Sequence, residues 1–431
     1  MTTIKEEYDL CSRILFYRRT HNSALPKIES STQSKSTPHK INSIHGRNLI
    51  DDKTIDQYKR ATVLPVVQHS TLLPDAHHGY GVPIGTVLAC ENAIIPAAVG
   101  VDIGCRMHLT VLNLSTNSLD KSTKNGVHTK ALEECTAFGI GASFSNKALN
   151  DHPVLYDPEW DNYDITKALK DKARAHLGTS GSGNHFVEWG IFTPNEEARH
   201  FFGLDDNPAP YLALLSHSGS RGPGAKVADY YMKLAKDNLP SNFNQYEYLP
   251  WLPMDHDSGK EYWNIMNLIG DYAAANHEVI HKNVLSHVGY TSDQIVLSLQ
   301  NHHNFAWHED LGGKKYYVHR KGATPSHLNE VGIIPGSMCT PTYIVKGKGY
   351  LTTLNSSSHG AGRCLSRKQA KDKFTSSDLS DLMLKTNTVL LGAGVDEIPY
   401  AYKDIKSVMA EQASYLDVLG TFIPKIVKMD K

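Results

Sequence analysis

The 431-residue chain reads as an α+β protein. Runs rich in β-branched and aromatic residues recur along it, the mark of strands. Stretches with apolar residues three and four apart sit among those runs, the mark of amphipathic helices. The two kinds intermix without the strict alternation that builds a doubly wound sheet. No period of roughly 20–50 residues stands out, so a solenoid is not expected.

Taken from the N-terminus, residues 1–20 suit a small appended helix. Residues 21–40 (HNSALPKIESSTQSKSTPHK) have the Ser, Thr, Lys and Pro content of a linker. From about residue 41 the composition is that of a globular domain. A short helix is expected at 53–61, after the turn at Asp51–Asp52. Strands are expected at 84–90 (IGTVLAC), 211–216 (YLALLS), 295–299 (IVLSL), 315–319 (KYYVH) and 342–346 (TYIVK). A helix fits 223–236, with Pro223 early, where helices tolerate proline. The sharpest helical pattern covers 259–287, where Tyr262, Met266, Ile269, Ala273, Ile280 and Val284 share a face.

Hydrophobic residues make up 40% of the chain, enough for a sizeable core. The formal net charge is −1, which argues against a protein that coats nucleic acid by overall charge; any nucleic-acid contact must be a local patch. The six cysteines form no CxxC pair and no dense framework, as in a reducing compartment. The N-terminus lacks the apolar core of a signal peptide, and no apolar run reaches the roughly 18–20 residues of a membrane span. A cytoplasmic protein without membrane contact is expected.

Chemistry concentrates in glycine-rich segments that carry Asp, Cys and His: 73–85 (LPDAHHGYGVPIG), 96–108 (PAAVGVDIGCRMH), 178–190 (GTSGSGNHFVEWG), 216–224 (SHSGSRGPG), 301–309 (NHHNFAWHE) and 356–367 (SSSHGAGRCLSR). Asp102 and Cys105, three apart on a tight turn, can face one point. A thiolate can bridge two cations and a carboxylate adds a hard oxygen. Alone, Cys105 would read as an ordinary buried thiol. His185, His217 and His303 each stand beside a strand-like run. Single histidines there often only cap; three together can aim imidazoles into one pocket. One Cys, one Asp and three His suffice for two three-coordinate metals sharing the sulfur, each with an open position. Ligand type by itself favours zinc.

The turns GTSGSGN, SGSRGPG and HGAGR can present backbone N–H groups to phosphate, or can simply be tight turns. Arg221 and Arg363 lie in two of them and can fork onto phosphate oxygens. There is no Walker A sequence, no GxGxxG opening a helix and no KxDG lysine motif. A nucleotide would therefore meet another nucleophile, and His359 in SSSHGAGR is the candidate: an imidazole nitrogen can attack an α-phosphate and expel pyrophosphate.

The ordered set PDAHHGYGVPIG, GVDIGC, GSGNHFVE, HSGSRG, HHN, VHRKGA, IIPGSM and SHGAGR resembles the RtcB family of RNA ligases, over about residues 41–430. The resemblance implies a single large irregular domain over 41–431, with mixed and antiparallel sheets flanked by helices around a central metal cleft, and residues 1–40 as an N-terminal extension. It implies GTP and two Mn²⁺ ions, so manganese replaces the zinc expected from ligand type. Cys105 would bridge the ions, His217 and His303 completing one, Asp102 and His185 the other. His359 would carry GMP. Nucleotide contacts would come from Asn184, Glu188, Ser337, Thr342, Gly360, Ala361, Gly362, Arg363 and Lys428, and phosphate or RNA contacts from Asp75 and Arg221.

The implied reaction joins an RNA 2′,3′-cyclic-phosphate or 3′-phosphate end to a 5′-hydroxyl end, in tRNA splicing or RNA repair, with an activator of the archease type as partner. The alternative is a two-metal phosphohydrolase without guanylylation; a third reading, a non-catalytic RNA-binding scaffold, is opposed by the complete ligand set. The sequence departs from the family at Cys339 and Pro341, where small residues are usual, and at Thr342, where serine is common. Stretch 115–175 lacks an Arg-rich RNA-binding segment, offering Lys121, Lys124, Lys147 and Arg174 instead.

Overall fold

The computed structural model describes residues 40–119, 126–144, 150–204 and 210–431. The expected N-terminal helix and linker, and Lys121, Lys124 and Lys147, lie outside these ranges. The expected central elements all form: helices Asp52–Thr62, Arg221–Asp237 and Asp257–Val288, and strands Ile84–Cys90, Tyr211–Ser218, Ile295–His302, Lys314–Lys321 and Thr342–Gly347. α+β is the observed class.

The larger sheet has eight strands. Its order is Val331–Ile334, Thr342–Gly347, Leu416–Met429, Phe186–Pro194, Tyr211–Ser218, Arg106–Ser115 and Ile295–His302, with Val389–Leu391 pairing in parallel beside the long C-terminal strand. The other pairings are antiparallel. Alternation gives the sheet two covered faces. Met107, Leu109, Val111, Ala213, Leu215 and Phe422 share one apolar cluster. Leu112, Leu212, Leu214, Val187 and Trp189 pack on the other side against Ile280, Val284 and Leu285 of the long helix.

That helix, Asp257–Val288, is capped by the His256 side chain, which accepts from the Ser258 N–H, and ends at Gly289 in the left-handed region (φ 88°). It is buried on more than one side, which is why its apolar stripe is broad. It also packs very close to the chain around Cys105: a Cβ on Gly104 would lie 3.0 Å from the Gly270 Cα.

A five-stranded sheet, ordered Asn42–Ile44, Val67–His77, Ile84–Cys90, Lys314–Lys321 and Asn304–Leu311, stands beside the first. Its only parallel pair is Asn42–Ile44 with Val67–His77. The two-stranded ribbon of Ala323–Pro325 and Ser356–Ser358 runs from this sheet and delivers His359 at its end. Among the described residues no helix is long and apolar enough to cross a membrane.

Candidate metal centre and reactive histidine

Strand register assembles the cluster. Met107 pairs with His217 and Arg106 with His302, so Cys105 lies just off one strand end, flanked by His217 and His303. The backbone locks the arrangement: His303 N–H donates to the Cys105 carbonyl at 2.9 Å, and Gly104 N–H to the Asn304 carbonyl at 2.8 Å. Phe186 pairs with His217 on the other side, which brings in the turn that ends at His185.

The Cys105 Sγ lies 3.3 Å from His217 Nε2 and 3.6 Å from His185 Nε2. His217 Nε2 is 3.3 Å from His303 Nε2, and His185 Nε2 is 3.1 Å from Asp102 Oδ2. Two nitrogens about 2.1 Å from one tetrahedral ion stand about 3.4 Å apart, so these separations suit ligands sharing an ion. Cys105, His185 and His217 form a buried group with metal-ligand spacing.

The orientation of each imidazole has a cause. His185 Nδ1 donates to the Ser180 carbonyl at 2.8 Å and His217 Nδ1 to the Asn184 carbonyl at 3.1 Å. Both rings are thereby held with an Nε2 lone pair toward the cluster. The buried His303 Nδ1 has no partner among the described residues. Burial, with His185 and His359 nearby, pulls His217 down to about 3, and burial with His359 and His217 nearby pulls His303 well below the ordinary range. His217 and His303 are therefore neutral, each with a ring lone pair free, the state a cation requires. Burial alone would raise the Asp102 carboxyl, but His185, the Cys105 thiol and the Ser220 N–H bring it down to about 2. Its Oδ1 accepts from Ser220 N–H at 2.9 Å. Without a cation, burial and Asp102 push the Cys105 thiol well above its usual value. The donor set, with neutral rings, an ionised carboxylate and an orphaned buried nitrogen, fits metal ions.

His359 faces this cluster, its ring centroid 5.0 Å from that of His303. Its Nδ1 lies 2.7 Å from Asp75 Oδ2, which also accepts the His359 backbone N–H at 3.1 Å. Asp75 is fully buried; burial would raise its carboxyl, but the His359 hydrogen bond and nearby Lys403 hold it below the usual range. Asp75 therefore stands behind the imidazole, where it fixes Nδ1 as the donor and turns Nε2 outward. Gly362, at φ 74°, permits this contact: a Cβ there would sit 2.0 Å from the Asp75 carbonyl.

The remaining expected residues fall into separate settings. Arg221 is half-buried at the first turn of its helix, donating from Nε to Thr179 Oγ1 at 2.9 Å and from Nη2 to the Gly139 carbonyl at 3.4 Å, with Nη1 against Gly181. With Asp102, Lys172, His176, Ser182 and Ile140 it lines a cavity of about 460 Å³. Glu188 is buried on its strand, and burial raises its carboxyl well above the normal range, which favours the uncharged form. Ser337 is held in its turn by Thr340, whose Oγ1 accepts the Ser337 N–H at 2.6 Å. Thr342 is buried at a strand start, Ala361 is buried, Gly360 abuts Pro335, and Asn184 projects outward.

Three expected ligand contacts meet other partners: Asp75, expected to meet phosphate or RNA, is fully buried and taken by His359, and two basic residues are engaged elsewhere. Arg363 donates to the carbonyls of Leu365 and Asp396, to Glu397 and to the Tyr402 hydroxyl, so its guanidinium braces the Asp396–Tyr402 segment. Lys428 Nζ donates to the carbonyls of Leu132, Glu133 and Thr136 at 2.9–3.1 Å, capping the end of helix Val127–Cys135. Arg174 pairs with Asp151 at 3.2 Å. The sequence reading missed the orienting carbonyls of Ser180 and Asn184, which no residue type advertises. It also missed Asn304, whose Oδ1 accepts from Gly322 N–H and whose Nδ2 donates to the Asp102 carbonyl; its place in HHN was the available signal.

Fold and side chains define an α+β protein built around a candidate metal centre with a carboxylate-held histidine at its edge. The family model described as tRNA-splicing ligase RtcB matches residues 57–157 and 156–427. The chain is 32% identical to the RNA-splicing ligase RtcB of Escherichia coli over 381 residues, covering 83% of this chain and 88% of that protein. It is 30% identical to the tRNA-splicing ligase RtcB of Nanoarchaeum equitans, over 83% and 87% of the two chains, and 29% identical to that of Thermococcus kodakarensis, over 83% and 86%. The chain belongs to the RtcB family.

Proposed function

We propose that this chain is an RNA ligase that uses GTP and two Mn²⁺ ions to join 2′,3′-cyclic-phosphate or 3′-phosphate ends to 5′-hydroxyl ends, through GMP carried on His359. The observation that carries the reading is the pairing of His359 with buried Asp75 beside the Cys–His cluster. The relatives' names, RNA-splicing and tRNA-splicing ligase, supply the substrate class. Cys105, His217 and His303 would hold one ion, and Cys105, Asp102 and His185 the other. Bound there, the ions would lend Lewis acidity to phosphate oxygens.

Asp75 keeps the His359 Nδ1 proton in place and leaves the Nε2 lone pair free. Nε2 attacks the α-phosphorus of GTP, a P–N bond forms, and pyrophosphate leaves with the electron pair of the broken P–O bond. Water has opened any cyclic phosphate to a 3′-phosphate. An oxygen of that 3′-phosphate displaces His359 from the GMP phosphorus, and the Nε2 lone pair returns. The 5′-hydroxyl then attacks the 3′-phosphorus, GMP departs, and the hydroxyl proton passes to solvent. In-line placement of these groups is the main contribution of the pocket.

Uncharged Glu188, which can both donate and accept, would read the nucleotide with Asn184, Ser337, Thr342 and the 360–362 turn. Arg363 and Lys428 would act on that pocket by shaping its walls. Arg221, with Lys172 beside it in the cavity, would attract RNA phosphate, a local basic patch on a chain of near-zero net charge. A cytoplasmic setting, an archease-type activator, an extension over 1–40 and a catalytic domain over 41–431 complete the proposal.

The test is incubation with Mn²⁺ and α-labelled GTP. Wild type is expected to take an acid-labile, alkali-stable label that His359→Ala does not. A wild type that never takes label overturns guanylylation and leaves the two-metal phosphohydrolase.

A further inference from the structure

The long helix carries a buried polar cluster that the reaction above does not use. Asn276 is fully buried. Its Oδ1 accepts from Gly178 N–H at 2.7 Å. Its amide N–H groups reach the Thr179 carbonyl at 3.0 Å, Ser218 Oγ at 3.1 Å and, more weakly, the Gly219 carbonyl at 3.4 Å. One amide thus ties together two segments far apart in sequence, both of which carry expected metal ligands.

The first segment is the turn that ends at His185. The second is the strand end that carries His217 and continues to Ser220, whose N–H holds Asp102. The ties extend to the ligands themselves. Ser218 Oγ, accepting from Asn276, donates in turn to the Ser180 carbonyl at 2.9 Å. That same carbonyl accepts the His185 Nδ1 proton at 2.8 Å. A continuous chain of hydrogen bonds therefore runs from Asn276 through Ser218 and Ser180 to a ligand imidazole. The next helix residue, His277, adds a second tie, with Nε2 at 3.1 Å from the Ser218 carbonyl and Nδ1 at 2.6 Å from Ser216 Oγ. A buried amide placed in an apolar helix costs free energy unless all its bonds are made, and here they are made to the backbone of the metal centre.

We propose that Asn276 is a positioning residue for the metal centre: it sets the distance between the His185 turn and the His217 strand end, and through Ser218 and Ser180 it sets the rotation of the His185 ring. It touches neither metal nor substrate. This inference rests on the metal reading above. Partners of this kind typically change metal affinity by about 10–100-fold.

The experiment is a Co²⁺ titration of the full chain, followed by the thiolate-to-cobalt absorption from Cys105, with melting of the metal-free protein measured alongside. Asn276→Asp keeps the acceptor for Gly178 but turns an oxygen toward the Thr179 and Gly219 carbonyls. Its Co²⁺ affinity is expected to fall at least 10-fold, with an altered thiolate band. Ser218→Ala deletes only the hydroxyl between Asn276 and Ser180 and leaves the amide its Thr179 and Gly219 carbonyl acceptors, so it serves if Asn276→Asp fails to fold; its affinity is expected to fall about 10-fold while metal-free melting drops far less than in Asn276→Asp. Asn276→Gln, with the same groups on a longer arm, is expected not to restore affinity. Wild-type affinity and band shape in Ser218→Ala, and in Asn276→Asp if it folds, overturn the inference alone. A wild-type chain that binds no Co²⁺ and no Mn²⁺ sinks the metal reading, and this inference with it.

Discussion

In the proposed reaction Asp75 decides what His359 can do. A neutral imidazole carries its proton on either nitrogen, and only the nitrogen without one can attack phosphorus. The buried Asp75 carboxylate, accepting from both the ring and the backbone of His359, makes that choice before substrate arrives. Asp75→Ala is therefore expected to slow label transfer from α-labelled GTP by on the order of 10²-fold or more while Mn²⁺ affinity stays near wild type. A quenched time course at saturating Mn²⁺ reads this, and an unchanged rate would contradict the orienting role. Gly219 offers a second residue-scale test. A Cβ there would lie 2.2 Å from the Asp102 carboxylate oxygens, so no side chain fits without displacing the carboxylate from Ser220. Gly219→Ala should weaken Mn²⁺ binding roughly 10-fold by calorimetric titration, since the carboxylate loses its second hydrogen-bond partner. Retained affinity would mean that Asp102 is not a ligand.

At the scale of elements, Arg320 shows how a motif residue can serve the scaffold. It is fully buried on strand Lys314–Lys321 and grips Glu309 of the neighbouring strand with Nη1 at 2.6 Å and Nη2 at 2.9 Å. Its Nε donates to Ser356 Oγ at 2.8 Å, in the short strand that leads to His359. Arg320→Met removes this grip and leaves the largely covered Glu309 with His327 as its remaining charged partner, so unfolding stability is expected to drop by about 1–3 kcal/mol in a denaturant titration. A drop below about 1 kcal/mol would show that water reaches Glu309. His327 completes this cluster, 3.3 Å from Glu309 and 2.6 Å from Glu330. Burial opposes its protonation, but the two carboxylates win and raise it to about 9. The folded value lies above the unfolded value near 6.5, so this stabilisation is complete below about pH 6.5 and is lost as pH rises through about 9. His327→Gln should flatten the stability profile between those limits, and an unchanged slope would refute the assignment. The strands and the long helix were legible because their apolar periodicity is local. The side-chain partners of Arg320, Arg363 and Lys428 were not, because residue type on a turn or strand does not say which way the partner lies. Arg363 on its glycine turn reads as a phosphate fork, yet Glu397 and the Asp396 carbonyl take its donors.

At the scale of the whole molecule, the centre is a product of topology. Asp102, Cys105, His185, His217, His303 and His359 come from five separate stretches, joined only by strand register and by the close seat of the long helix at Gly104. Spacing showed that Asp102 and Cys105 could share a point; nothing in composition or periodicity could show that four distant histidines join them, and the ordered motifs carried that step. The same topology makes metal binding a stability term. Unfolding scatters the ligands, so an ion that binds only the native arrangement stabilises it by an amount that grows with concentration. At 100 times its dissociation constant, one ion contributes about 2.7 kcal/mol. The melting temperature is therefore expected to rise continuously with Mn²⁺ and to fall when a chelator is added. Cys105→Ala, which removes the sulfur within reach of both His185 and His217, should abolish most of that rise, whereas His359→Ala, at the rim, should keep it. Melting curves across a Mn²⁺ series distinguish the cases. A wild-type curve indifferent to Mn²⁺ would remove the metal centre from the account, and a rise that survives in Cys105→Ala would move the ions away from the sulfur and leave the imidazoles to hold them alone.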